Sequence, residues 1–143
     1  MIIQGLTNSF RAEMLQAVHD LSTDTLKLAL YTSGATLLPN TTAYSSADEV
    51  VASGYTAGGA TLTNVTITTQ ANVPDTQPAI VYIDFDDVTF SAALTARGAL
   101  IYNASKSNKS IAVLNFGSDK TSTATFMVQM PPNTFADALL RFS

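Results

Sequence analysis

The side chains best suited to chemistry in this 143-residue chain are its single histidine, His19, and the carboxylates Asp84, Asp86 and Asp87. A histidine works as the base of a nucleophilic site when a Ser or Thr attacks and an Asp orients the ring. His19 falls beside Asp20 near the end of a predicted helix, where a cation complements the helix dipole. No nucleophile stands at a recognisable spacing from it, so the structural reading prevails. Asp84 and Asp86 project to one side if a strand runs through them. Two carboxylates on one face can hold Ca²⁺ with backbone carbonyls, or act as the acid/base pair of a glycosidase. No EF-hand spacing accompanies them, and Asp side chains also cap turns such as the one before Val88. We therefore assign no catalytic residue, metal ligand or cofactor site.

Other suggestive features have plainer readings. The stretch Gly54-Tyr55-Thr56-Ala57-Gly58-Gly59-Ala60-Thr61 is glycine-rich but lacks the Gly-Lys-Ser/Thr ending of a phosphate-binding loop. Turn geometry accounts for it. Tyr31, Tyr44, Tyr55, Tyr82 and Tyr102 are able to stack on sugars, yet tyrosine at strand positions is also ordinary sheet packing. Four Asn-x-Ser/Thr sequons, at Asn40, Asn64, Asn103 and Asn108, carry little weight without a secretory signal.

Composition narrows the class. The length suits one domain spanning 1–143, and the absence of cysteine excludes disulfides and thiolate metal sites. Charged residues are 13% of the chain, about half the usual share, and the net charge is −4. Thr, Ser, Asn and Gln must then supply most of the polar surface. Such groups leave water at lower cost than ions, which suits faces buried against a partner. The basic residues are scattered, so no nucleic-acid footprint is present. The N-terminal residues lack a basic, then apolar, leader, and no apolar run reaches the ~20 residues of a spanning helix. A soluble protein made in a cytoplasm, with no membrane partner, is expected.

The elements that position these residues are mostly short strands. Leu26, Leu28 and Leu30 alternate with Lys27, Ala29 and Tyr31 in a strand at 25–32. The same period of two marks 60–69, 79–85, 87–91, 94–103, 109–117 and 123–130, with breakers at 72–75, 86–87, 91–92, 105–108, 117–119 and 131–133. Residues 135–142 read as a final strand. One helix is predicted at about 7–21, with Thr7, Asn8 or Ser9 as cap and Phe10, Met14, Val18 and Leu21 on one stripe. The polar connection 33–59 holds a predicted helical turn at 45–51, and its length suggests an arm that engages a neighbour. These elements predict a mainly β fold, an antiparallel β-sandwich or jelly-roll-like domain over about 25–143 behind one N-terminal α-helix.

Several strings resemble a family of small virion proteins of tailed bacteriophages. They are Leu28-Ala29-Leu30-Tyr31-Thr32-Ser33, Thr42-Ala43-Tyr44, Gly54-Tyr55-Thr56-Ala57-Gly58-Gly59-Ala60, Thr95-Ala96-Arg97-Gly98-Ala99-Leu100-Ile101-Tyr102-Asn103 and Ala112-Val113-Leu114-Asn115-Phe116-Gly117-Ser118-Asp119-Lys120. The similarity runs in order over nearly the whole chain. It implies a non-enzymatic virion component, above all a capsid decoration or cement protein that binds copies of itself and the major capsid protein. A neck or tail subunit is the alternative within that class, and a carbohydrate-binding module the alternative outside it. A hydrolase using His19 or the Asp cluster ranks last. The residues expected to make contacts are Phe10, Met14, Tyr44, Val50, Leu140 and Phe142.

Overall fold

The computed structural model describes residues 1–70, 80–134 and 136–142. In chain order they form β1 (Gly5–Leu6), α1 (Asn8–Leu15), β2 (Leu26–Tyr31), β3 (Ala60–Thr61), β4 (Thr66–Gln70), β5 (Ile80–Asp84), β6 (Val88–Phe90), β7 (Thr95–Asn103), β8 (Lys109–Thr121), β9 (Phe126–Val128) and β10 (Leu140–Phe142). A 3₁₀ turn, Ala104–Lys106, links β7 to β8. Every strand pair is antiparallel. Five strands lie in the order β1-β8-β7-β2-β3, three in the order β10-β5-β4, and β6 pairs with β9. The expected mainly β architecture with one helix is what the chain adopts.

The local boundaries have physical causes. Thr7 caps α1, its hydroxyl accepting from Phe10 N at 3.4 Å. The helix ends at Leu15, six residues short of the predicted 21, because Ala17 adopts a left-handed φ of 57°. Val18 N then donates back to Glu13 O at 3.0 Å, which closes the helix and turns His19 and Leu21 inward. The predicted strand 60–69 is two strands. Asn64, at φ 52°, breaks it, so β3 joins β2 while β4 joins β5 in the other sheet. The expected breaker at 117–119 lies inside β8, which runs through Gly117 (φ 80°) to Thr121. Residues 45–51 form no helix: a tight turn at Ala47 and Asp48 (φ 58°) sits between extended stretches. The predicted breaker at 72–75 lies outside the described residues.

Both faces of β2 and β7 are buried. Leu26, Leu28, Leu30, Ala99 and Ile101 meet Ile83, Leu140, Val88, Phe90, Phe126 and Val128, so the main core draws on all three sheets. On the opposite face Ala29, Tyr31, Leu100, Tyr102 and Val113 are covered by Ile2, Ala35, Leu37 and Tyr44. Burial of this kind contributes about 25 cal/mol per Å² of apolar surface removed from water. The long connection is therefore part of the fold. Its residues Glu49 and Val50 also flank β2, with Val50 N bonded to Leu30 O at 2.9 Å, and Leu62 N returns to Leu26 O at 2.8 Å. Between them the chain must press against β2. Gly59, at φ 73°, leaves no room for a side chain: a Cβ there would lie 1.8 Å from Leu28 O.

Candidate functional site

The six residues expected to make contacts divide into two groups. Phe10, Val50 and Leu140 are buried in the chain's own core, so they are unavailable to a partner while the domain stays folded. Phe10 is held between the rings of His19, at 5.2 Å between centroids, and Phe142, at 6.4 Å. Tyr44 is half-buried and stacks on Tyr102 at 4.7 Å, which turns it toward the sheet. Met14 and Phe142 stay partly exposed and share a groove. An inward core position and an outward contact position carry the same apolar side chain, and their sequence pattern cannot separate them.

His19 is fully involved in structure. Its Nδ1 accepts from Asn103 Nδ2 at 3.0 Å, which leaves Nε2–H to donate to Glu13 Oε2 at 2.8 Å. Glu13 Oε1 takes Lys109 Nζ at 2.5 Å, and Asn103 Nδ2 also reaches Asp24 Oδ2 at 2.7 Å. Burial pulls the Glu13 carboxyl up, but the bonds from Lys109 and His19 outweigh it and hold the group below its usual range. Asp24 is likewise drawn up by burial and held down overall by Asn103 and the backbone of Asp20. The network fastens the turn after α1 to the β7–β8 connection.

Two of the three clustered aspartates are engaged by hydrogen bonds within the chain. Asp86 Oδ2 accepts from Thr63 Oγ1 at 3.0 Å and Asn64 Nδ2 at 2.5 Å, and Asp87 Oδ1 accepts from Met130 N at 2.7 Å. The strand that was to align Asp84 with Asp86 ends at Asp84. Among the described residues no three His, Cys, Asp or Glu side chains gather in a metal-binding arrangement.

Sequence reasoning missed the buried cluster around Glu49. The connection 33–59 brings this carboxylate under the sheet, where Tyr44 Oη donates to Oε2 at 2.6 Å. Tyr55 Oη and Gly58 N both donate to Oε1 at 2.7 Å. Tyr55 Oη in turn accepts Leu30 N at 2.8 Å, Tyr102 Oη donates to Gly58 O at 2.7 Å, and Tyr31 Oη donates to Ser45 O at 2.6 Å. Burial first, and the nearby Glu49 charge second, push the Tyr31 and Tyr102 hydroxyls above the ordinary tyrosine range. Tyr44 and Tyr55 rise for the same reason, with their bonds to Glu49 adding to the effect. Tyr31, Tyr55, Tyr82 and Tyr102 are buried and Tyr44 is covered by Tyr102, so these rings are occupied by protein. The signal available beforehand was the clustering of tyrosines around one Glu and a Gly-Gly pair.

An open groove of about 560 Å³ separates the end of α1 from the β10-β5-β4 sheet. Met14, Leu21, Ile67, Val81, Ile83 and Phe142 line it, with His19 at its wall. Ile67 on β4 is 45% exposed at this edge. The groove is apolar, so it offers contact area rather than chemistry. Among the described residues no helix is long and apolar enough to cross a membrane. Comparison of the chain with protein-family models, with curated proteins and with solved structures yields no match.

Proposed function

We propose that the chain is a non-enzymatic structural component of a tailed-bacteriophage particle, of the capsid decoration or cement type, binding its own copies and the major capsid protein. The fold belonging to this reading is a β-sandwich of jelly-roll character, and a core shared by the five-, three- and two-stranded sheets supports it. The observation that carries the reading is the division of labour in the molecule. His19, Glu13 and Glu49 are held in internal hydrogen-bond networks, Asp86 and Asp87 bond to neighbouring turns and strands, and charged residues make up only 13% of the chain. A uniformly low-charge surface adheres through many weak contacts, which symmetric repetition multiplies. Localisation to the virion follows from the same reading.

The experiment is reconstitution. Purified protein is added to shells that lack it, and binding is read by co-sedimentation and imaging, together with particle tolerance to heat and dilution. Saturable binding in copy number close to that of the major capsid protein, with raised heat tolerance, is expected. Occupancy of a few copies at one vertex places the chain in the neck or tail instead. Absence of binding to any particle component overturns the reading.

A further inference from the structure

We draw no further inference here: the strongest candidate, the open apolar groove between the end of α1 and the β10-β5-β4 sheet, lined by Met14, Ile67, Val81 and Phe142, carries nothing because nothing in the structure shows what covers it.

Discussion

Replacing Glu49 by alanine removes the acceptor around which the 33–59 connection closes on itself beneath the sheet. Three donors lose their partner at once: Tyr44 Oη at 2.6 Å, Tyr55 Oη at 2.7 Å and Gly58 N at 2.7 Å. Hydrogen bonds to a charged acceptor contribute about 1.5–3 kcal/mol each, and an orphaned buried donor costs about 1–3 kcal/mol. Water entering the space left by the side chain recovers part of this, so we expect a net loss of about 3–5 kcal/mol. That is a large fraction of the 5–15 kcal/mol typical of a domain, roughly 10–20 °C in melting temperature at this size. Glu49→Gln separates shape from charge. Its oxygen is able to keep Tyr55 and Gly58, and Tyr44 Oη turns to accept from the new amide, so the cost falls to about 1–2 kcal/mol. Urea unfolding measures both. Hydrogen exchange localises the effect, since Thr32 N–H, bonded to Asp48 O at 3.0 Å, and Val50 N–H, bonded to Leu30 O at 2.9 Å, should lose protection first. An alanine variant within about 0.5 kcal/mol of the parent, the range of an ordinary surface change, refutes the reasoning. Equal losses for alanine and glutamine would show that the hydrogen-bond count is not the cause.

Other expectations follow from the same geometry. Gly59→Ala should cost about 3 kcal/mol or more, since it adds a clash with Leu28 O to a left-handed φ. Gly117→Ala meets open space at a similar φ and should cost only the backbone share, about 1–3 kcal/mol; denaturant midpoints compare the two. The tyrosines around Glu49 hold their protons longer in the folded chain than in the unfolded one. Stability should therefore be intact below the ordinary tyrosine pKa of about 10 and decline as pH rises past it, with tyrosinate absorbance lagging in the native protein. Glu13 behaves oppositely. Its depressed carboxyl stabilises the fold above the ordinary value of about 4.3 and loses that contribution as pH falls, so Glu13→Gln should flatten the acid side of a urea-midpoint profile.

Alternation of apolar and polar residues was enough to place β2, β5, β6, β7 and β9 within a few residues, because which way a strand side chain points is a local property of the backbone. The Thr7 cap was legible for the same reason: the hydroxyl and the amide it serves lie three residues apart. What the alternation could not convey is which sheet each strand joins. Residues 60–69 look continuous, yet a left-handed Asn64 hands the chain from β2's sheet to β5's. The helix stripe looked long enough for 7–21, but His19 had partners at Glu13 and Asn103 that only a turn after Leu15 lets it reach. Composition alone determined that this is a cysteine-free, low-charge chain of strands. Only the tertiary structure decided that Glu49 is a buried acceptor and that Phe10, Val50 and Leu140 belong to the interior. Those outcomes depend on groups brought together from distant parts of the chain, and no window of neighbouring residues records them.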